Sequence, residues 1–396
     1  MQIESKVWIP TPGRGVAVNG SATYCSSSGL RMMQIYVEMT SSDRADAIYR
    51  RFSDDNGRTW GPSELLHTYE RDGEDVVRYS VGPTFLDPER DALVLFRGRR
   101  VLHRDDVLSG LKRFKIYYQV SWDCGRTWTD PVQVVEEGPE YDTDHWMQGA
   151  FYGRNCAQIG GDPIKLPSGE ILVPLTLFPI DENGELYNPK GAYTFSYAVF
   201  LMGRWSGNAL RWTSSQVVRI SPERSTRGLT EPALAVLGDG RLVAIFRGSN
   251  DKAPDLPGYK WVSVSEDGGR TWTEPEPLRY DDGGELFSPS SMCKLLRHSN
   301  GKLYWFGNVT PTNPYANSPR YPLVVAEVDE ETLSIRRDSV VVIDDRREGE
   351  AESLQLSNFH VYEDRETGNL VLTLCRLFPD GPGDWTAPCV RYDITV

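Results

Sequence analysis

The chain has 396 residues, 11% of them aromatic, with 36 Gly and 26 Pro. That composition suits an all-β, turn-rich fold, and no capped stretch of 3.6-residue periodicity announces a long helix. Forty-three Lys and Arg against 56 Asp and Glu leave a net charge of −13, which argues against nucleic acid or an anionic membrane as a bulk partner but leaves room for a small anionic ligand held by local arginines.

Met1 to Val7 lack the apolar core of a secretion signal, and no run approaches transmembrane length. The expectation is a cytoplasmic chain, or a secreted or periplasmic one whose signal has been removed. Six cysteines (25, 124, 156, 293, 375 and 389) form no Cys-x-x-Cys pair and read as reduced and buried, with a bridge between distant segments left open.

Along the chain, one punctuation recurs ahead of apolar runs. It appears as Ser28-Gly29-Leu30, Arg90-Asp91-Ala92-Leu93, Ser168-Gly169-Glu170-Ile171, Asp239-Gly240-Arg241-Leu242, Asn300-Gly301-Lys302-Leu303 and Thr367-Gly368-Asn369-Leu370. These are hairpin turns between alternating strands, and six of them predict six sheets. A second repeat has the form Ser-x-Asp-x-Gly-x-Thr-Trp, at Ser53 to Trp60, Ser121 to Trp128 and Ser265 to Trp272. Its Ser and Asp can bond nearby N–H groups, its Gly supplies positive φ, and its Trp buries a large face. Such a segment is a hairpin tip between two outer strands. Its starts are separated by 68 residues (121 − 53) and 144 residues (265 − 121). A unit of roughly 70 residues therefore repeats, with one decayed copy near Trp205 to Trp212. Three copies of one Asp argue for a structural role, because an enzyme does not need its base in triplicate.

The octapeptide resembles the Asp-box of sialidases and other BNR-repeat proteins. That resemblance, with the six turns, predicts one domain over residues 1–396: an all-β, six-bladed β-propeller of four-stranded antiparallel blades with Asp-box hairpins. The strand near Val7-Trp8-Ile9 is expected to pair with Val390 to Ile394 and close the last blade. In such a fold, the entry to each blade's first strand and the exit from its second strand share the ligand-binding face.

Candidate site residues follow in chain order. In blade two, Arg97 is placed at a strand exit. Blade three opens with a polar and aromatic connection, Asp142 to Asn155, where His145 and Tyr152 are candidate proton-transfer groups and Arg154 a candidate anion ligand. Blade four carries Glu231-Pro232 at its entry and Arg247 at its exit. This resembles the sialidase pattern of a Glu-Pro pair followed by a carboxylate-binding arginine, and implies that Glu231 tunes a catalytic partner while Arg247 clamps a carboxylate. Arg320 in blade five resembles a further arginine of the same clamp. Blade six offers Asn358, His360 and Arg376. Two sialidase features are unmatched: blade one, read as entering at Ser21-Ala22-Thr23, has no arginine, and Leu354 to Phe359 in blade six has no tyrosine.

The resemblance implies a sialidase-like exo-glycosidase acting on an acidic, carboxylate-bearing sugar, with Tyr24 or Tyr152 as a replacement nucleophile or a pair of carboxylates activating water. Two alternatives stay open: a polysaccharide lyase on uronic-acid glycans using a His/Tyr pair, and a non-catalytic glycan-binding propeller. No cofactor or metal motif is expected, and the acidic run from Asp344 to Glu352 reads as a solvated loop.

Overall fold

A computed structural model describes residues 1–396. The chain is all-β, with two short 3-10 turns at Leu108–Leu111 and Arg337–Ser339 and no α-helix. Six antiparallel sheets succeed one another, the six blades of a β-propeller. Blade one comprises Ala17–Tyr24, Met32–Met39, Ala47–Ser53 and Glu64–Thr68. Blade two comprises Asp75–Asp87, Ala92–His103, Phe114–Ser121 and Val132–Gln133. Blade three comprises Ala157–Ile159, Ile171–Leu177, Tyr197–Ser206 and Ala209–Ser214. Blade four comprises Thr230–Val236, Leu242–Arg247, Lys260–Ser265 and Glu276–Pro277. Blade five comprises Lys294–Arg297, Leu303–Asn308 and Leu323–Asp329, edged by Ser334–Ile335 and Val341–Asp344. Blade six comprises His360–Glu363, Leu370–Cys375 and Cys389–Ile394, and Ile3–Ile9 is its outermost strand.

Each predicted turn lies between the first two strands of its blade. The run that follows is apolar because the second strand is covered on both faces: Leu93 to Phe96, Leu242 to Phe246 and Leu303 to Phe306 are all buried. Val7 pairs with Val390, as expected for the closing strand. The chain divides into two compact units, residues 1–134 with 358–396 and residues 135–357. The first holds blades six, one and two, with a core of Met33, Ile35, Leu93 and Leu95 between blades one and two. The second holds blades three to five. Phe200, Phe246, Trp261 and Trp272 fill the space between blades three and four, and Ile245, Leu286, Trp305 and Val324 that between four and five.

The three octapeptides form one structure. In the second, Ser121 Oγ donates to Asp123 (2.9 Å) and accepts from the Gly125 N–H (2.8 Å), while Asp123 accepts from the Thr127 N–H (2.8 Å) and hydroxyl (2.6 Å). The pattern repeats at Asp55 and Asp267. Every Asp is spent on its own turn, which confirms the structural reading.

Two sequence expectations shift. Blade one enters at Ala17, not at Ser21, because its first strand is disguised by small and polar residues. Arg14 stands three residues ahead of that strand. Arg97 is not at a strand exit: the blade-two hairpin continues to His103, past Arg97. Five cysteines are buried, Cys124 is half-buried, and all six are free thiols. No helix is long and apolar enough to cross a membrane.

Candidate functional site

The site is built within residues 135–357, around Glu231. Thr230 pairs with Arg247 and Ala233 with Ile245, so Glu231 and Pro232 together oppose one residue and form a bulge. Glu231 is held at φ 49°, left-handed backbone that a non-glycine residue ahead of a proline strongly disfavours. Its N–H donates to Thr176 Oγ1 of blade three (3.1 Å). Two glycines permit the crowding around the bulge. A Cβ on Gly228 would lie 1.9 Å from the Ser196 carbonyl, and one on Gly161 would lie 2.1 Å from the Pro232 carbonyl. Strain over-determined in this way is characteristic of a position kept for its side chain.

That side chain meets Arg247, whose Nη1 donates to Glu231 Oε2 (2.9 Å). Arg247 is the more enclosed partner, with 11% of its side chain exposed against 33% for Glu231, so the carboxylate is open to a ligand. Arg247 Nε donates to Ser290 Oγ (2.9 Å) and Nη2 to Asn317 Oδ1 (3.3 Å). Arg320 joins the same segment: Nη2 donates to the Ser290 carbonyl (3.2 Å) and Nη1 to Gln355 Oε1 (2.9 Å). Arg227 is a third guanidinium. Its Nη2 donates to Thr194 Oγ1 (3.0 Å), its Nε is buried without a partner, and it lies over the Tyr193 ring.

The electrostatics follow from this crowding. Burial pushes the Glu231 carboxyl up, but the charge and hydrogen bond of Arg247, with Arg320 and Arg227, outweigh it and hold the group below its ordinary value. Glu231 is therefore ionised at neutral pH. Burial, with the like charge of Arg247, brings Arg227 down to about 10. Three guanidiniums near one half-buried carboxylate make a locally positive site on a net-negative chain. Buried amides fix the loops that carry it. Asn308 Nδ2 donates to the carbonyls of Arg320 (3.1 Å) and Leu356 (3.0 Å), and Asn250 braces Pro314 (2.8 Å) and Ala316 (2.8 Å) beside Asn317.

The remaining sequence candidates have surroundings of their own. His145 sits in a two-stranded hairpin, His145–Met147 with Ala150–Phe151. Its Nδ1 lies 2.9 Å from the Glu140 carbonyl and its ring stacks on Phe151. Arg154 is exposed and lies over the same Phe151 ring, and the Tyr152 N–H donates to the Asp144 carbonyl (2.7 Å). These three residues thus form a local cluster of their own. Tyr24 is buried and bonded to Asn56 (2.6 Å), which removes it as a nucleophile. Arg97 Nη1 lies 2.8 Å from His67 Nε2; burial and the Arg97 charge keep that imidazole neutral and accepting. The Asn358 carbonyl accepts from Asn19 (2.8 Å), His360 opens the first strand of blade six, and Arg376 is buried just past the second. No three His, Cys, Asp or Glu side chains are grouped so as to hold a metal ion.

Glu231, Arg247 and Arg320, singled out in the sequence, are brought together. Arg227 and Asn317 carry no signal of their own in the sequence. Arg227 lies one residue before the Gly228-Leu229-Thr230-Glu231 entry, so a slightly wider window on the same strand entry finds it.

Residues 34–352 match the family model described as the BNR repeat-like domain. No curated protein matches the chain. Several solved structures share its fold. A protein of unknown function from Dyadobacter fermentans is 14% identical, with 99% of this chain and 98% of that one covered and a TM-score of 0.64. The NanB sialidase from Streptococcus pneumoniae is 14% identical (98% and 69%, TM-score 0.62). The intramolecular trans-sialidase from Ruminococcus gnavus is 14% identical (98% and 96%, TM-score 0.58). At such identities the likeness is one of fold.

Proposed function

The chain belongs to the BNR repeat-like domain family, and from that premise we propose that it is a sialidase-like glycoside hydrolase acting on a carboxylate-bearing sugar. The observation that carries this reading is the accessible carboxylate of Glu231, set on a strained backbone and bonded to Arg247, with Arg320 fastened to the same Ser290 segment as Arg247. The guanidiniums offer N–H donors in a geometry suited to a carboxylate. Glu231, held ionised, is unsuited to donate a proton. Its role is to accept one or to stabilise positive charge developing at the anomeric carbon. The net change is hydrolysis: the bond from the anomeric carbon to the glycosidic oxygen breaks, the hydroxyl of water joins the anomeric carbon and its proton leaves on the glycosidic oxygen.

The test is a panel of chromogenic glycosides: N-acetylneuraminide, glucuronide and neutral hexosides. The expected result is turnover confined to the carboxylate-bearing members and lost in Glu231→Gln. Turnover of neutral glycosides that survives Arg247→Ala, or release of an ultraviolet-absorbing unsaturated product from uronic-acid polymers, overturns the reading. Binding of a carboxylate sugar without turnover leaves only the glycan-binding part.

A further inference from the structure

Lys260 opens the third strand of blade four, directly opposite Arg247 in the sheet, and is completely buried. A buried ammonium is costly unless hydrogen bonds compensate it, so its partners are informative. Nζ donates to Ser288 Oγ (2.8 Å) and to the Pro289 carbonyl (2.7 Å). Ser288 in turn donates its hydroxyl to the Asn308 carbonyl (2.6 Å), and Asn308 holds the backbone of Arg320. Two residues after Ser288, Ser290 is the one that Arg247 and Arg320 both grip. Within three residues, one short segment is fastened by Lys260 and by both arginines.

We propose that Lys260 is a positioning residue of the anion site: it sets the Ser288 to Ser290 segment against which Arg247 and Arg320 are aligned, and its ammonium adds to the positive charge that an anion there meets. The ligand half of this proposal rests on the carboxylate-binding reading above; the positioning half rests on the hydrogen bonds alone.

The charged and titratable groups facing Lys260 come from every neighbouring element. Glu231 is on the first strand of blade four and Arg247 on the second. Cys293 precedes the first strand of blade five, and Arg320 lies in that blade's later loop. Burial is the largest influence on the amine. Glu231 favours its charge, Arg247 and Arg320 oppose it, and the result is a group lowered to about 7. The Cys293 thiol, pushed up by burial to about 11, is neutral there. An arriving anion favours protonated Lys260. By reciprocity, anion affinity then falls as pH rises through about 7.

The experiment uses the whole protein with 13C-labelled lysine and free N-acetylneuraminate as probe. One lysine resonance is expected to titrate near 7, to vanish in Lys260→Met, and to move upward when the probe binds. Probe affinity is expected to fall by about fivefold or more between pH 6 and 8 in the wild type, and to be weaker and flatter in Lys260→Met. A Lys260 that titrates in the ordinary range, or one that ignores bound probe, overturns the charge half. A crystal structure of Lys260→Met with Ser290 still seated on Arg247 and Arg320 overturns the positioning half, and a displaced segment supports it. If the probe does not bind at all, the functional reading fails while that crystal structure still decides the positioning. If Lys260→Met does not fold, the wild-type titration decides the charge half, and a crystal structure of Ser288→Ala decides the positioning in the same way.

Discussion

Glu231 is the residue at which local backbone preference and side-chain role conflict. Its positive φ ahead of Pro232 is unfavourable in itself, and Gly161 leaves room for the Pro232 carbonyl of the same bulge. A glycine would relax the backbone. Glu231→Gly is therefore expected to melt no lower than wild type while losing hydrolysis of the carboxylate-bearing glycosides, measured by calorimetry and initial rates side by side. Arg247→Ala removes charge-assisted donors from the proposed carboxylate and is expected to weaken N-acetylneuraminate binding by about 10- to 100-fold by calorimetric titration. Arg320→Ala is expected to do the same. The Glu-Pro pair and Arg247 could be read in the sequence because they stand at strand ends, and Arg320 because it shortly precedes an apolar strand. Arg227 and Lys260 could not be valued there: their significance lies in burial, which turns an ordinary cation into one lowered to about 10 or about 7.

The hairpins were legible for the opposite reason, since their chemistry is almost wholly local. Ser, Asp, Gly and Thr of each octapeptide satisfy one another within seven residues, so spelling and structure coincide. The Thr127 and Ser121 hydrogen bonds hold the Asp123 carboxyl at about 2, and the Thr59 and Ser53 bonds do the same for Asp55; at Asp267 burial works against the bonds from Thr271 and Ser265, which prevail. These folded values lie below those of an unfolded chain. Their stabilisation is complete above about pH 4 and is lost as pH falls toward 2. Replacing all three Asp by Asn is expected to lower the urea midpoint at pH 6 and to flatten its decline from pH 4 to pH 2. An unchanged acid limb would show that other carboxylates govern it. Where an element's pattern was not local, reading failed. The first strand of blade one, Ala-Val-Asn-Gly-Ser-Ala-Thr-Tyr, carries no apolar alternation, and its start was placed four residues late. The long hairpin containing Arg97 gives no sign of where a typical blade strand should stop.

At the scale of the whole molecule, the six turns specified six sheets, and the outermost strand of blade six comes from the opposite end of the sequence. Ile3–Ile9 covers an edge, Cys389–Ile394, that would otherwise present unpaired backbone groups. Deleting residues 1–9 is expected to lower the melting temperature and to promote self-association by light scattering. Substitutions on the exposed face of the same strand, such as Glu4→Gln, should do neither. The fold was thus largely written in turn chemistry and repeat spacing, whereas the proposed activity rests on unrepeated side chains whose meaning depends on three-dimensional neighbours.

That closing strand also imposes a timetable. Ile3 pairs with Ile394, 391 residues later (394 − 3). At ordinary translation speeds of about 5 to 20 residues per second, the strand waits roughly 20 to 80 s after synthesis before its partner exists. Blade six can therefore be completed only after Ile394 has been made, and until then a nascent polypeptide carries an unsatisfied β-strand through the crowded space outside the ribosome.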